Sequence, residues 1–287
     1  MPEAGVPRGR LRSVATFVAF VLAVLVLWEL LKFIGGDPWR YFGWEWRPPL
    51  KIAFASDLLL PHVWQIVAAL AEPVQRLRTD SLAQFLLGAA FYTWREAAIG
   101  FVAGTILGIG LATIFVHSRL LERAFVPYVI ASQTIPIVAL APMIVFAFGT
   151  SIVSVAIVAT YLTFFPVTIA MIRGLRSPDP RALDLMRSYA ASPGAIFWKL
   201  RMPASLPYLF TALKISATAS IVGAIIGEGP GGVNDGLGRS IINFNNQYIS
   251  GPEKLWATIL IAALLGIASY ALVQIAERWT LRAAPTR

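Results

Sequence analysis

The sequence predicts an all-α integral membrane protein with six transmembrane helices. Of its 287 residues, 57% are apolar and only 14% are charged, and the mean hydropathy is +0.69. A typical soluble domain carries about a quarter charged residues, so a conventional water-soluble fold is excluded. A disordered chain is excluded as well, because disorder requires low hydrophobicity together with high charge.

Six apolar stretches are long enough to cross a bilayer, which takes about 20 residues of helix. They cover residues 14–34, 97–116, 124–148, 151–172, 206–227 and 255–276. Arg8, Arg10 and Arg12 precede the first stretch, as basic residues precede the apolar part of a signal peptide. This stretch is longer than such a segment and lacks a cleavage pattern, so we interpret it as an uncleaved span.

The positions of lysine and arginine orient the six spans. With both termini in the cytoplasm, fourteen basic residues lie on cytoplasmic segments and eight on outer segments. Six of those eight belong to one long loop, 35–96, where the positive-inside rule is weak. We therefore expect both termini in the cytoplasm. The net charge of +9 is attributed to this orientation and not to nucleic-acid binding.

The sequence offers no enzyme site. It contains no cysteine and only two histidines, His62 and His117, which excludes thiolate chemistry and a histidine-built metal site. The glycine-rich run 227–232 lacks the lysine and hydroxyl residue of a phosphate-binding loop. We expect no catalytic residue, no metal ligand and no cofactor bound by this chain.

Charged residues inside the spans are few. They are Glu29 and Lys32, which we expect to reach the outer interface, and Lys214, whose side chain can extend to the cytoplasmic interface. A stand-alone secondary transporter or channel is the main alternative function. It would need a relay of charged groups inside the spans, which these three residues do not supply.

Polar side chains in three spans are candidates for a translocation pathway. One group lies beside Pro136, and proline frees backbone carbonyls that must be satisfied in lipid. A kinked packing helix whose polar side chains bond to their own backbone is the alternative. The candidate pathway residues are Ser132, Gln133, Thr134, Tyr161, Thr163, Ser216 and Thr218. Glu228 and Gly229, which end the fifth span, are candidates for an outer gate; Glu228 is either a pore-rim group or a solvated turn residue.

Two patterns predict helix packing. Gly100, Gly104 and Gly108 recur every four residues, which predicts close approach of another helix to the second span. Apolar residues at helical spacing predict a helix over 61–78, lying along the membrane surface or across the bundle.

The loop 173–205 carries two short amphipathic helices. Asp179-Pro180 and Ser192-Pro193 are both signals for a helix start. Amphipathic helices without a catalytic constellation predict a docking surface for another protein. Helices lying on the membrane are the alternative.

In this loop the sequence resembles permease subunits of binding-protein-dependent ABC importers. Those carry Glu-Ala-Ala, three residues, Gly, nine residues, then Ile-x-Leu-Pro. Here Asp184-Leu185-Met186 stands at the first position, Ala190 at the glycine and 200–203 at Ile-x-Leu-Pro, with the spacing kept. The stretches 95–101 and 135–142 and the turn Gly236-Leu237-Gly238 are similar to the same family. The likeness is greatest to its nitrate/sulfonate/taurine-type branch.

The resemblance implies a type I ABC importer permease fold, with an N-terminal anchor span and outer loop over 1–96 and a core permease domain over 97–280. It implies a homodimer on two cytoplasmic ABC ATPase subunits, which bind ATP and Mg²⁺, and an extracytoplasmic substrate-binding protein. The ATPase-coupling positions would be Asp184, Leu185, Met186, Arg187, Ala190, Leu200 and Pro203. Such permeases reside in the inner membrane of prokaryotes.

The neutral, hydroxyl-bearing and aromatic pathway candidates favour a heterocycle as the transported solute. A riboflavin- or pyrimidine-like vitamin precursor is therefore preferred over a sulfonate, taurine or nitrate. The basic excess lies on the wrong side of the membrane to bind an anion arriving from outside.

Overall fold

The computed structural model describes residues 8–41, 44–74, 80–231 and 235–283, and nearly all of their regular structure is helical. The helices are α1 Arg8–Gly35, α2 Val63–Ala69, α3 Leu82–His117, α4 Arg119–Ser132, α5 Ile137–Phe148, α6 Ile152–Leu175, α7 Pro180–Ser188, α8 Pro193–Ile196, α9 Met202–Gly231, α10 Leu237–Asn246 and α11 Pro252–Ala283. Two short strands, β1 Trp39–Tyr41 and β2 Trp44–Trp46, pair antiparallel with Arg40 opposite Glu45. Single turns of other helix types cover Ala53–Ala55, Phe197–Arg201 and Tyr248–Ser250.

Five helical segments within these ranges are long and apolar enough to cross a membrane. They are Ala15–Gly35, Leu82–His117, Ile152–Leu175, Pro193–Gly229 and Pro252–Leu281. α4 and α5 meet the same test only as a pair, and counting that pair as one span gives six. The predicted all-α membrane fold is confirmed.

The third predicted span is not one straight helix. α4 ends at Ser132, α5 begins at Ile137, and the two axes meet at 97°. Pro136 has no N–H with which to continue the helical ladder, and it disfavours helical backbone at the preceding residue, Ile135. The span predicted over 124–148 is therefore present as a bent pair of helices.

Two helix boundaries between residues 35 and 96 also differ from expectation. The helix predicted over 61–78 ends at Ala69, and its last part, 75–78, lies outside the described residues. α3 begins at Leu82, so that Arg95 and Glu96 lie inside it. These charges interrupt the apolar run without ending the helix, because Glu96 is buried and the guanidinium of Arg95 lies over the ring of Tyr92.

The chain forms two compact units. The first comprises Met1–Ala83 with Phe244–Ala257, and the second comprises Gln84–Asn243 with Thr258–Arg287. The division at residue 96 into an anchor region and a core permease domain stays a prediction.

In the first unit, the charged residues of α1 bind the segment that precedes α2. Lys32 is completely buried, and its Nζ lies 2.5 Å from Oδ1 of Asp57 and 2.6 Å from the carbonyl oxygen of Leu60. Oε2 of Glu29 lies 2.8 Å from Nδ1 of His62, and burial lowers the pKa of His62. Lys32 and Glu29 therefore each have partners in the segment that precedes α2, and their reach to the outer interface stays a prediction.

In the second unit, α3, α6 and α9 approach closely through small residues. A Cβ atom at Gly100 would lie 2.4 Å from that of Ala159, and Cβ atoms at Gly104 and Gly108 would lie 2.6 and 2.8 Å from other side chains of α6. On α9, a Cβ at Gly223 would lie 2.8 Å from the Cα of Ala159. The predicted packing role of the glycine stripe is confirmed. The same three helices share a buried apolar cluster of Ala112, Phe115, Val167, Met171, Ile172, Leu175 and Ala212.

The substitution Gly100→Ala should lower the thermal stability of the second unit. The added methyl group would overlap Ala159, and overpacking of this kind costs about 1–3 kcal/mol. Gly110→Ala on the same helix is the matched control, because nothing lies within 4 Å of its Cβ position. Thermal unfolding of both purified variants in detergent measures the difference, and equal melting temperatures would contradict this packing.

Candidate functional site

The break between α4 and α5 is stabilised by a side chain of α6. The hydroxyl of Tyr161 donates to the carbonyl of Ser132, the last residue of α4. In an unbroken helix this carbonyl would accept the N–H four residues ahead, but that residue is Pro136, which has none. The same carbonyl also accepts the N–H of Ile135 at 3.3 Å, so the Tyr161 hydroxyl adds a second donor where proline removes the helical one.

The polar side chains at the break bond mainly to their own turn. The hydroxyl of Ser132 donates to the carbonyl of Val129 at 2.8 Å, and that of Thr134 donates to the carbonyl of Ala131 at 2.7 Å. Nε2 of Gln133 lies 3.4 Å from Oγ of Ser132. For Ser132 and Thr134 the structure matches the alternative of backbone-bonded side chains in a bent helix.

The remaining pathway candidates lie on α6 and α9. The hydroxyl of Ser216 donates to the carbonyl of Thr163 at 3.3 Å, and both side chains are completely buried. The Thr163 side chain fills the space left by Gly104. Thr218 is half-buried, and its hydroxyl donates to the carbonyl of Ile215 at 2.8 Å. Thr163 and Ser216 therefore act in packing α6 on its neighbours.

Other residues line the cavity between α3, α9 and α11. Its volume is about 140 Å³. The walls include Ser220 and Ser269 and are otherwise apolar, and none of the seven predicted pathway residues is among them. The sequence indicated only weakly that Ser220 and Ser269 line a cavity, since single serines are common on the packing faces of membrane helices.

Glu228 is buried and holds the turn that follows α9. Its side chain has no exposed surface, and its Oε2 accepts the N–H of Gly238 at 2.6 Å. A Cβ atom at Gly236 would lie 2.1 Å from Cδ of Glu228, so the turn passes directly over this carboxyl group. The expectation of a solvated turn residue was wrong, and the alternative of a pore-rim group stays a prediction. Gly229 contacts Ile242, whose Cδ1 would lie 3.2 Å from a Cβ at this position.

The sequence-based prediction missed Glu96. This side chain of α3 is completely buried, and its carboxyl group interacts with that of Glu228. The available signal was an acidic residue directly before the apolar run 97–116, which was interpreted as the end of a loop.

Lys214 is paired within the helix bundle. Its Nζ lies 2.9 and 3.1 Å from the two carboxyl oxygens of Glu277, which joins α9 to α11. Both side chains are about four-fifths buried, with relative exposures of 19% and 18%. The ion pair meets the requirement that a charge at membrane depth have a partner.

Both predicted helix starts in the loop 173–205 are confirmed. Oδ1 of Asp179 accepts the N–H of Arg181 at 2.8 Å, and α7 begins at the following proline. Oγ of Ser192 accepts the N–H of Ala195 at 3.2 Å at the start of α8.

α7 ends in a left-handed turn at Ala190. The φ of this residue is +53°, its N–H donates to the carbonyl of Arg187 at 2.9 Å, and the N–H of Ala191 donates to the carbonyl of Met186 at 3.0 Å. These two bonds form a Schellman motif, which favours glycine at the left-handed position. Ala190 stands where the permease motif has glycine, so the local geometry explains that preference.

α7 contains no buried residue and presents a mixed apolar and charged surface. Leu185 and Tyr189 are 58% and 79% exposed, and Trp198 after α8 is 67% exposed. Asp184 and Arg187 lie on the same short helix, 3.4 Å apart. The other predicted coupling residues are half-buried or exposed: Met186, Leu200 and Pro203. Exposed large apolar groups beside charges are typical of a protein-binding surface.

Arginines cluster next to α7. A cavity of about 510 Å³ is lined by Val116, Arg119, Glu122, Arg123, Leu175, Arg176, Leu183 and Arg201. Two hydrogen bonds of 2.7 and 2.6 Å join Arg176 to Glu122, and they raise the pKa of Arg176. This end of the second unit is therefore strongly basic.

Comparison with known proteins identifies the family. Residues 104–282 match the family described as binding-protein-dependent transport system inner membrane component. The chain belongs to this family. It is therefore a multi-pass inner-membrane permease of the ABC importer class, and the resemblance drawn from the sequence is confirmed. A membrane component of a transport system is not an enzyme, and membership decides against a stand-alone secondary transporter or channel.

Several curated relatives are similar over most of their length. The chain is 33% identical over 260 residues to the formylaminopyrimidine transport permease protein ThiX of Halalkalibacterium halodurans, which covers 89% of this chain and 90% of the relative. It is 31% identical over 166 residues to the riboflavin transport system permease protein RibX of Chloroflexus aurantiacus, covering 58% and 61%. It is 28% identical over 237 residues to the putative aliphatic sulfonates transport permease protein SsuC of Escherichia coli, covering 83% and 86%.

The substitution Ala190→Gly should stabilise the permease by about 0.5–1 kcal/mol. Glycine removes the cost of a left-handed conformation, which exceeds the entropy that it adds to the unfolded chain. Ala182→Gly inside α7 is the matched control and should destabilise by a similar amount. Denaturant unfolding followed by intrinsic tryptophan fluorescence measures both, and a loss of stability in Ala190→Gly would contradict the Schellman geometry.

Proposed function

We propose that this chain forms the translocation pathway of an ATP-driven importer for a small organic solute. The observation that carries the proposal is α7, an exposed helix at the position of the coupling motif in a member of the importer permease family. ATP and Mg²⁺ bind to cytoplasmic ABC ATPase subunits, because this chain has no phosphate-binding loop. An extracytoplasmic binding protein delivers the solute, and a second copy of the chain completes the pathway.

Both termini lie in the cytoplasm in this proposal. Six crossings, with the bent α4–α5 pair as the third, return the chain to the side on which it started. The excess of lysine and arginine on the short segments supports the cytoplasmic side. The loop containing α7 and its neighbouring arginines then faces the ATPase.

α7 is proposed to sit in a groove of the ATPase. Closure of the ATPase pair on ATP moves α7, and α9 transmits this movement because it follows α8 without a loop. Leu185 supplies an apolar anchor, and Asp184 and Arg187 supply charges that fix the register. Ala190 ends the helix so that the chain can turn into α8, and Met186, Leu200 and Pro203 complete the coupling set.

The pathway is proposed to run along the bent α4–α5 pair. Gln133 and Tyr161 are the leading contact residues, since Ser132 and Thr134 bond to their own turn and Thr163 and Ser216 are buried in packing. Thr218 remains a candidate because it is only half-buried. An outer-gate role of Glu228 and Gly229 would act through movement of the turn that Glu228 holds.

A pyrimidine- or riboflavin-like vitamin precursor is the proposed solute class. An amide and a phenol at the break can hydrogen-bond and stack on a heterocycle. The relatives ThiX and RibX carry names of such solutes, whereas SsuC carries the name of a sulfonate. Sulfonate, taurine and nitrate are the competing solutes.

Replacing Asp184 and Arg187 together by alanine should reduce co-purification of the ATPase and solute uptake at least about tenfold, equal to ~1.4 kcal/mol of docking free energy. Both side chains are exposed, so folding of the permease should be unaffected. Arg181→Ala on the same helix is the control and should retain assembly. Wild-type assembly and uptake in the double variant would refute the coupling role.

Ligand binding to the partner binding protein would decide the solute class. Calorimetric titration with a formylaminopyrimidine, riboflavin, taurine and an alkanesulfonate should show binding of a heterocycle alone. Binding of taurine or the sulfonate alone would overturn the proposed class while leaving the importer function intact.

A further inference from the structure

Glu96 and Glu228 bring two carboxyl groups together inside the second unit. Neither side chain has any exposed surface. Oε2 of Glu228 accepts the N–H of Gly238. The hydroxyls of Thr93 and Tyr92 interact with the carboxyl groups of Glu228 and Glu96, respectively. No donor reaches hydrogen-bonding geometry at Oε1 of Glu228 or at either oxygen of Glu96. Such groups are rare in folded proteins, because burying a polar atom without a partner costs several kcal/mol in apolar surroundings.

No cation neutralises this pair within the described part of the chain. The charged and titratable groups around it are Arg95, Tyr92 and Asp235. The guanidinium of Arg95 lies 5.1 Å from the centroid of the Tyr92 ring and is exposed. It forms no ion pair with Glu96. Asp235 adds a further acid on the exposed surface.

The turn 236–238 requires the carboxyl group of Glu228 to remain a hydrogen-bond acceptor. Gly236 and Gly238 pass so close to Glu228 that a Cβ at either position would overlap its side chain or the Ile225 carbonyl. The buried Leu237 between them donates its N–H to Oγ1 of Thr93 at 2.9 Å. Glu228 thus accepts a hydrogen bond from a backbone N–H, which suits it to carry the negative charge.

Two ionised carboxylates cannot share a buried site without a cation, and a single proton removes the conflict. We propose that Glu96 and Glu228 share one proton and form an acid–carboxylate pair that fastens the Gly236–Gly238 turn to α3 and α9. Glu96 carries the proton and donates it to Oε1 of Glu228. This bond gives partners to one oxygen of Glu96 and to Oε1 of Glu228.

Infrared difference spectroscopy of the intact transporter in nanodiscs at neutral pH tests the proposal. The wild type should show the carbonyl stretch of a protonated carboxylic acid, and this band should shift in D₂O and be lost in Glu96→Gln. In Glu228→Gln it should change position, because an amide replaces the carboxylate acceptor. Glu277→Gln, which removes a carboxyl paired with Lys214, is the matched control and should leave the band unchanged.

A band that is absent from the wild type, or unchanged in both Glu96→Gln and Glu228→Gln, would overturn the shared proton. A bound cation is the competing explanation of two buried acids. Thermal unfolding with added Na⁺, Mg²⁺ or Ca²⁺ separates the two: the proposal predicts the same melting temperature in each salt at equal ionic strength. A rise with one cation that Glu96→Gln abolishes would also overturn the proposal.

Discussion

The close approach of α3, α6 and α9 is the contact on which the second unit depends. Apolar side chains gain little by leaving lipid for one another, so membrane helices associate mainly through van der Waals contact and hydrogen bonds. Glycines at 100, 104, 108 and 223 bring the backbones near enough for such contact. Each polar feature of the unit lies on one of these three helices or on an element that they hold in place.

Several polar groups at membrane depth are paired around this scaffold. The hydroxyl of Tyr161 on α6 donates to the carbonyl of Ser132 at the α4–α5 break, and Lys214 of α9 pairs with Glu277 of α11. Glu228 takes a backbone N–H of the turn after α9. An irregular backbone is tolerated at this depth only where such partners exist. Side chains of α6 and α9 therefore hold the bend at Pro136 and the turn at Gly238 in place.

Sequence patterns predicted the features that depend on local or periodic chemistry. The apolar runs gave the spans, the four-residue glycine spacing gave the packing stripe, and Asp179-Pro180 gave the start of α7. Features that depend on long-range partners were missed. The inclusion of Glu96 in α3 relies on burial opposite Glu228, which is distant in sequence, and apolar content alone could not predict it. The size of the 97° break could not be predicted either, since a proline predicts a kink but not its angle.

The family likeness and the geometry of α7 support each other. The permease motif has glycine at the position of Ala190, and the backbone of Ala190 has a left-handed conformation. A motif that is retained in spacing but changed in composition thus preserves the backbone path at the end of α7. The exposed Leu185 and Tyr189 remain as the surface that an ATPase would cover.

A single cysteine at position 185 tests this central claim most directly, because the chain contains no cysteine of its own. In Leu185→Cys, labelling by a membrane-impermeant maleimide should occur only in inverted vesicles and should be blocked when the ATPase is assembled. Ile249→Cys, at a residue that is 87% exposed, serves as the reference and should be labelled only from outside, with or without the ATPase. Labelling of Leu185→Cys from outside, or labelling that the ATPase leaves unchanged, would contradict α7 as the docking surface.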